Sequence, residues 1–204
     1  QLKAEGVKFQ LKTLVGTSMP KGVTNDATKV IAPAKLMKQF DAVVLAGGSE
    51  TPRDLPIPGR NLQGVHFALE FLIPQNKEVN AGDMRGRKNP INVKGRRVVV
   101  IGGGDTGSDC VGTSNRHGAA AITQIELMPR PPEQENKPLV WPYWPIKLRT
   151  SSSQEEGCQR DWAVAARRFT GKNGKVERLV AVRVEWQKGP DGQLRMAEVP
   201  GTEF

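Results

Sequence analysis

Cysteine and histidine are scarce in this chain, which limits the metal and disulfide chemistry open to it. Its 204 residues include two cysteines, Cys110 and Cys158, and two histidines, His66 and His117. Two cysteines cannot supply a four-cysteine iron–sulfur or zinc site, and their number gives no disulfide framework. We therefore expect no metal site in this chain and a reducing compartment, the cytoplasm, as its location.

Aromatic residues and long apolar runs are also few. Aromatic residues make up 5% of the chain and apolar residues 37%, so the predicted core is aliphatic and modest. No run approaches the roughly 18 apolar residues of a membrane span, and no signal-peptide pattern opens the chain. We expect no membrane association, and the first residue, Gln1 rather than Met, suggests a processed chain or an excised piece.

Basic residues exceed acidic ones, giving a formal net charge of +9. A basic surface can serve nucleic acid, a phosphorylated cofactor or an acidic protein. The charges are scattered, with one denser patch at residues 85–88 and 94–97, which is more typical of a solvated linker. A non-catalytic module that docks an acidic partner or, less favoured, nucleic acid remains the alternative function.

A glycine-rich loop after an apolar run is the clearest functional signal. Residues 98–101 read Val-Val-Val-Ile, and Gly102, Gly104 and Gly107 follow with G-x-G-x-x-G spacing. In dinucleotide-binding folds the first glycine makes a tight turn and the second lets the backbone approach a pyrophosphate. The third lets the helix pack closely on the strand. Because such loops are common, the flanking residues must decide whether this one binds a nucleotide.

The flanking residues fit a βαβ unit of about 30 residues. A strand is predicted at 98–101, a helix at 105–116 ended by Gly118, and a second strand at 122–127. This pattern predicts an α/β fold with a Rossmann-like nucleotide-binding domain, and a purely structural strand-turn-helix is the alternative. The predicted cofactor-binding residues of the loop are Gly102, Gly103, Gly104, Asp105, Thr106 and Gly107.

Residues beyond the second strand bear on the choice between NAD and NADP. An acidic residue about 20 positions after the glycines binds the ribose diol of NAD, and Glu126 lies 19 residues after Gly107. Arg130 follows the expected tip of that strand, where a guanidinium can pair with a 2′-phosphate. We predict NADP(H), with NAD as the alternative, and add Lys147 and Arg149 as second candidates for the phosphate.

The remaining segments predict irregular and β-rich parts. Before residue 75, short strands are expected at 7–11, 13–15 and 41–46, and short helices at 33–38 and 65–73. The last of these is expected to end at Pro74, and polar residues 76–95 predict a linker. Six prolines in 129–145 predict a long loop without regular structure. An antiparallel three-stranded β meander is predicted at the end, from 162–169, 180–186 and 194–199.

Several motifs together resemble one family of proteins. They include Phe-Asp-Ala-Val-Val-Leu-Ala at 40–46, Trp-Pro-Tyr-Trp-Pro at 141–145 and Leu-Arg-Thr-Ser-Ser-Ser at 148–153, besides segments 52–60, 98–112 and 115–118. The chain resembles, over essentially its whole length, the small (β) subunits of glutamate synthase. The proline-tryptophan and serine motifs are more diagnostic than the glycine motif, which many flavoproteins share.

This resemblance implies a flavin domain that carries an inserted nicotinamide-nucleotide domain. Residues 1–75 would be a partial FAD-domain segment, 76–95 a linker and 96–204 the NAD(P)-binding domain, without its C-terminal return strand. The family's cysteine-rich iron–sulfur region and FAD-binding glycine motif have no counterpart in this sequence. We therefore expect an internal fragment, with FAD and iron–sulfur clusters in the intact parent only.

The resemblance also implies a function. The parent protein would be an oxidoreductase that passes hydride from NADPH to FAD for glutamate biosynthesis, with the large (α) subunit as its partner. Because the cofactors carry this chemistry, we predict no catalytic residue in the chain and an inactive isolated fragment. Gln154 stands where the resemblance leads us to expect histidine, and the sequence gives no role for it.

Overall fold

The computed structural model describes residues 1–19, 26–49, 51–82, 88–144 and 146–204. The chain divides into two compact units, Gln1–Ser49 and Glu50–Phe204. Residues 85–87 of the predicted basic patch lie outside the described residues. Among the residues that are described, no helix is both long and apolar enough to cross a membrane.

The first unit contains a small parallel pair of strands and one short helix. Strand β1, Thr13–Val15, pairs with β2, Lys29–Ile31. Helix α1, Pro33–Gln39, has proline at its first position, where the fixed φ suits a helix and the missing N–H is not needed. These elements confirm the predicted strand at 13–15 and helix at 33–38.

Two strands predicted in this unit do not form. Residues 7–11 and 41–46 are irregular, and Val44 and Leu45 are 86% and 90% exposed. A strand needs a neighbour to accept and donate its backbone hydrogen bonds. In the described part of this unit only β1 and β2 pair with each other, so the apolar run at 41–46 has no sheet to join.

Helix α2, Ala68–Asn80, is the first helix of the second unit, and it corrects both ends of the helix predicted at 65–73, since it begins three residues later and continues past Pro74. Pro74 lies inside this helix instead of ending it. Phe71 and Gln75 are buried on either side of Pro74. The Phe71 ring meets the His117 ring edge-on at a centroid distance of 5.1 Å. Gln75 Oε1 lies 2.6 Å from His117 Nε2, so side-chain packing keeps the helix intact past the proline.

The predicted linker at 76–95 is therefore not uniformly irregular. Its first residues complete α2, and buried Asn89 donates its Nδ2 to the Phe71 carbonyl over 2.9 Å. Ile91 and Val93 pack against the apolar core. The assignment of 1–75 and 96–204 to two different domains stays a prediction.

A three-stranded parallel sheet forms the centre of the second unit. Strands β3, Arg97–Ile101, and β4, Ala121–Glu126, flank helix α3, Asp105–His117, in the chain. Strand β5, Gln159–Trp162, adds to the far side of β4, so the order is β3-β4-β5. The predicted βαβ unit is confirmed, and the left-handed Gly118, with φ of 80°, caps α3 as expected.

The core of this unit lies where α2 and α3 pack against β3 and β4. Its buried members are Phe71, Val100, Cys110, Val111 and Ile122. Val111 is completely buried on α3, the helix that follows the glycine turn. The packing of these aliphatic side chains fixes where α3 begins relative to the end of β3.

The connection between β4 and β5 contains two single helical turns, α4, Lys137–Val140, and α5, Ser152–Glu155. Residues 129–145 were predicted to lack regular structure, and α4 is the exception. Trp141, Tyr143 and Trp144 in this segment are about four-fifths exposed.

The predicted antiparallel meander follows the parallel sheet. Strand β6, Val164–Lys172, pairs with β7, Lys175–Lys188, which pairs with β8, Leu194–Glu198. The strand predicted at 162–169 is divided between β5 and β6 at Ala163, which has a φ of 54°. Trp186 of β7 donates its Nε1–H to the Leu127 carbonyl over 3.0 Å, which ties the meander to the end of β4.

Candidate functional site

The glycine turn leaves the end of β3 in the conformation that its sequence predicts. Gly102 has a φ of 120°, a region that favours glycine. Its N–H donates to the Ile125 carbonyl over 2.8 Å, which fixes the turn against β4. Gly104 is the N-cap of α3, so the unpaired N–H groups of the first helical turn begin here.

The third glycine, Gly107, allows α3 to lie close to the strand end. A methyl group at Gly107 would collide with the Gly102 carbonyl and lie 3.0 Å from Gln124 Nε2. A methyl group at Gly104 would meet nothing within 4 Å. The two positions therefore have different requirements: Gly107 serves packing, whereas Gly104 faces open space.

Asp105 and Thr106 are the first residues of α3 and are both exposed. The N-cap residue, Gly104, has no side chain that could cap this helix end. The predicted contribution of Asp105 and Thr106 is therefore through backbone N–H groups and the positive end of the helix dipole.

A cleft of about 390 Å³ opens beside the glycine turn. It lies at the carboxyl ends of all three parallel strands. Gly103, in the turn after β3, lines it together with Glu126 and Trp162, the last residues of β4 and β5. Open α/β sheets bind ligands at this edge. The position and size of the cleft suit part of an extended dinucleotide.

Basic side chains surround this cleft. Lys147, Arg149 and Arg160 line it, and Arg160 Nη1 donates to the Arg149 carbonyl over 3.0 Å. The Arg149 guanidinium lies 5.4 Å from the centre of the Trp144 ring. Lys147 and Arg149, the second candidates for binding the 2′-phosphate, thus lie at the cleft together with Arg160.

Arg130 does not line the cleft directly but lies over one of its walls. Its guanidinium is 5.4 Å from the centre of the Trp162 ring, and that of Arg160 is 5.0 Å from the same ring. Arg130 also pairs with Glu133 over 3.1 Å, and its side chain is 54% exposed. The sequence did not single out Arg160 or Trp162 as site residues, because the predicted strand at 162–169 includes only the last residue of β5.

Glu126 is turned toward the glycine loop. Its Oε2 accepts a hydrogen bond from the Gly103 N–H over 2.5 Å, and its Oε1 accepts from the Met128 N–H over 3.1 Å. Both carboxylate oxygens are therefore engaged by the backbone of the protein.

Asp161 is the other carboxylate at the cleft, and it is paired. Arg183 Nη1 donates to Asp161 Oδ1 over 2.7 Å. This hydrogen bond and the charge of Arg183 lower the pKa of Asp161, and the same bond and the charge of Asp161 raise the pKa of Arg183. The pairing reduces the repulsion that an unpaired carboxylate would exert on an anionic ligand.

Neither cysteine has the properties of a nucleophile. Burial raises the pKa of Cys110 to about 11, and nearby Asp109 adds to the effect. Burial also raises the pKa of Cys158. A raised pKa disfavours the thiolate, which is the nucleophilic form of cysteine. In the described part of the chain, no group of histidine, cysteine and carboxylate side chains is arranged to hold a metal ion.

Known proteins similar to this chain fall into one group. The profile of the family described as pyridine nucleotide-disulphide oxidoreductase matches residues 1–139. The glutamate synthase (NADPH) small chain of Mycobacterium tuberculosis H37Rv is 41% identical over 206 residues, covering 100% of this chain and 39% of that protein. The glutamate synthase (NADH) of Saccharomyces cerevisiae is 37% identical, covering 99% of this chain and 9% of that protein.

Among solved structures, M. tuberculosis FprA in complex with NADPH has a similar fold, with a TM-score of 0.50 at 18% identity. The match covers 85% of this chain and 49% of that one. The chain spans about two-fifths of the length of the bacterial small chains it matches. The family profile and the 41% identity confirm the resemblance seen in the sequence, and the chain belongs to the pyridine nucleotide-disulphide oxidoreductase family.

Proposed function

We propose that this chain is the NADP(H)-binding part of a glutamate synthase-type oxidoreductase. The observation that carries the proposal is the cleft beside the glycine turn, at the carboxyl ends of three parallel strands. It occurs in a chain that is 41% identical, along its whole length, to a glutamate synthase (NADPH) small chain. The alternative of a basic docking module explains the charge but not the geometry of the turn.

The pyrophosphate of the nucleotide would bind at the start of α3. Gly104 leaves room for it, and the N–H groups of Gly104, Asp105 and Thr106 would face the anion at the positive end of the helix dipole. The close approach of the helix that Gly107 permits brings these N–H groups to the mouth of the cleft.

A 2′-phosphate would be held by the cations at the cleft. Arg149, Lys147 and Arg160 line it, and Arg130 lies over the Trp162 wall. Glu126, the candidate for the ribose diol of NAD, already accepts two backbone hydrogen bonds. The cations at the cleft and the engaged Glu126 carboxylate support NADP(H). NAD(H) remains the second candidate, because one relative, 37% identical, is named glutamate synthase (NADH).

When bound, the nicotinamide supplies a hydride, which the flavin of the complete protein would accept. The described residues of this chain bind and orient the nucleotide. We assign no acid or base role to Asp161, Cys110 or Cys158, because Asp161 is paired with Arg183 and the pKa values of both thiols are raised. FAD and iron–sulfur clusters would belong to the complete protein. We propose a cytoplasmic location for it, which the two free cysteines support.

The partner would be the large chain of glutamate synthase. Several relatives bear the name small chain, which implies a larger companion. We propose that the complete protein delivers electrons from NADPH to that companion for glutamate synthesis.

A nucleotide titration with matched glycine variants tests the proposal. Gly104→Ala places a methyl group in the proposed pyrophosphate position, whereas Gly47→Ala places one in open space in the first unit. We expect isothermal titration to show micromolar NADP⁺ binding by the wild type and the Gly47→Ala control, and at least about tenfold weaker binding by Gly104→Ala. No binding by the folded wild type, with salt-sensitive binding to DNA instead, would replace this proposal by the docking module.

A further inference from the structure

A chain of buried amide groups runs behind the glycine turn. Gln124 on β4 and Gln154 on α5 are 2% and 7% exposed. The Ser151 N–H donates to Gln154 Oε1 over 3.0 Å, and Gln154 Nε2 donates to Gln124 Oε1 over 2.7 Å. Gln124 Nε2 then donates to the Gly102 carbonyl over 2.9 Å. We call this set of four residues the amide relay.

The direction of the amide relay is fixed at both ends by chemistry. The Gly102 carbonyl can only accept, so Gln124 must present its NH₂ group to it and its oxygen to Gln154. The Ser151 N–H can only donate, so Gln154 must present its oxygen to it and its NH₂ group to Gln124. Each glutamine therefore has one permitted amide orientation. A side chain at position 154 that cannot donate a hydrogen bond would interrupt the relay.

The amide relay controls the peptide group between Gly102 and Gly103. In a planar trans peptide the C=O and N–H point in opposite directions. The Gly102 carbonyl is held by Gln124 on one side, and the Gly103 N–H is held by Glu126 on the other. Since two successive glycines otherwise rotate freely, these two contacts determine the orientation of the backbone entering the first turn of α3.

A second contact ties the relay to the same helix. The Ser151 hydroxyl forms a hydrogen bond with the Ser108 hydroxyl in the first turns of α3. Ser151 also caps α5 by accepting from the Gln154 N–H over 3.2 Å. The segment that carries Arg149 at the cleft is thereby joined to α3 and the glycine turn. Of the residues that make this connection, Gln124 lines the cleft, whereas Ser151 and Gln154 do not.

We propose that Gln154, acting through Gln124, is a positioning residue for the nucleotide-binding turn. It does not line the cleft, but it fixes the Gly102–Gly103 peptide so that the following N–H groups face the pyrophosphate. This inference rests on the proposed function, because it assigns a source of affinity within the same nucleotide site.

The substitution Gln154→Glu tests the inference with little change of size. A carboxylate at 154 cannot donate, so Gln124 must turn its NH₂ group toward it and its oxygen toward the Gly102 carbonyl. We expect about tenfold weaker NADP⁺ binding by calorimetry, the scale of one lost buried hydrogen bond. Amide signals of ¹⁵N-labelled glycines should also differ from the wild type without nucleotide.

Two control variants separate positioning from general stability. Glu155→Gln changes the exposed neighbour on the same helical turn and should leave the dissociation constant within twofold. Val182→Ala removes methyl groups from a side chain that is 3% exposed in the meander. It should lower Tm without changing NADP⁺ affinity at temperatures well below Tm. Should Gln154→Glu fail to fold, Gln154→Met provides an uncharged side chain of similar length.

The outcomes are distinct. If the wild type binds NADP⁺ and the position 154 variants bind it within twofold, Gln154 has only a structural role and the inference is wrong. If the folded wild type binds no NADP⁺, the proposed function fails and the inference fails with it. Weakened affinity in the position 154 variants but not in Val182→Ala supports the positioning role.

Discussion

At the scale of single residues, the glycines of one motif have separable physical roles. The sequence predicted these roles from spacing alone, and the structure distinguishes them by the space around each glycine. Gly102 adopts a left-handed φ, Gly104 faces open space, and Gly107 lies against the Gly102 carbonyl. The spacing was predictive because each role depends on local backbone geometry.

Gly107→Ala should destabilise the second unit. The added methyl group would collide with the Gly102 carbonyl, a backbone atom, so the helix or the strand end must move. We expect a loss of about 1–3 kcal/mol in the free energy of unfolding, the scale of overpacking in a well-packed site. Urea unfolding followed by tryptophan fluorescence measures it, and a loss below about 0.5 kcal/mol would contradict close helix–strand packing at this glycine.

The Asp161–Arg183 pair gives a pH dependence whose sign can be worked out. Arg183 lowers the pKa of Asp161 in the folded state, so the pair stabilises the fold above the ordinary aspartate pKa of about 3.9. This contribution is lost as the pH falls through the lowered folded-state pKa. Asp161→Asn should lower Tm at pH 7, and the difference from the wild type should shrink toward pH 3.

Because both side chains are partly exposed, solvent screening keeps the Asp161–Arg183 effect modest. Asp191→Asn is a useful comparison, since Asp191 pairs with Arg195 across a more exposed turn in the same unit. A Tm difference for Asp161→Asn that stayed constant from pH 7 to pH 3 would show that charge pairing is not its cause.

At the scale of elements, the sequence predicted those whose signals are local. Strands β3 and β4, helix α3 and the meander follow from apolar runs, a glycine C-cap and alternation. Helix α2 was predicted too short because its continuation depends on Phe71, Gln75 and Asn89 packing at a distance in the sequence. Strand β5 was predicted only at Trp162, because its other three residues, Gln-Arg-Asp, are polar and are held by pairing with β4.

The site shows the same division between local and distant signals. The glycine loop was predicted because its function depends on neighbouring residues. Arg160, Trp162 and Gln154 reach the site or its surroundings only through the pairing of β5 with β4 and the docking of α5 on α3. No sequence pattern around Gln154 indicates a partner at Gln124, 30 residues earlier.

Pro74→Ala should stabilise helix α2. Proline inside a helix removes one N–H donor and crowds the carbonyl four residues earlier, here that of Glu70. Alanine restores the donor and has the highest helix propensity. We expect a gain of about 1–3 kcal/mol in the free energy of unfolding of the second unit. Lys77→Ala, at an exposed position on the same helix, should change it by less than about 0.5 kcal/mol.

At the scale of the whole molecule, the two units differ in how well they bury apolar residues. Every described residue that is fully buried lies in the second unit, from Phe71 to Val184. In the first unit, Leu11, Met37, Val44 and Leu45 are each more than two-thirds exposed. Apolar burial is the main favourable term in folding, so the second unit should be the more stable.

This asymmetry predicts that residues 51–204 retain the proposed nucleotide site on their own. The glycine turn, the cleft and the amide relay all lie in that range. Because all four tryptophans lie there too, their fluorescence reports the second unit alone, while hydrogen exchange of amides in β1, β2 and α1 reports the first. We expect first-unit amides to exchange at lower denaturant concentration than the tryptophan transition.

The 51–204 chain should bind NADP⁺ with a dissociation constant within about threefold of the 204-residue chain. A folded 51–204 chain that bound NADP⁺ at least tenfold more weakly would show that the first unit contributes to the nucleotide site.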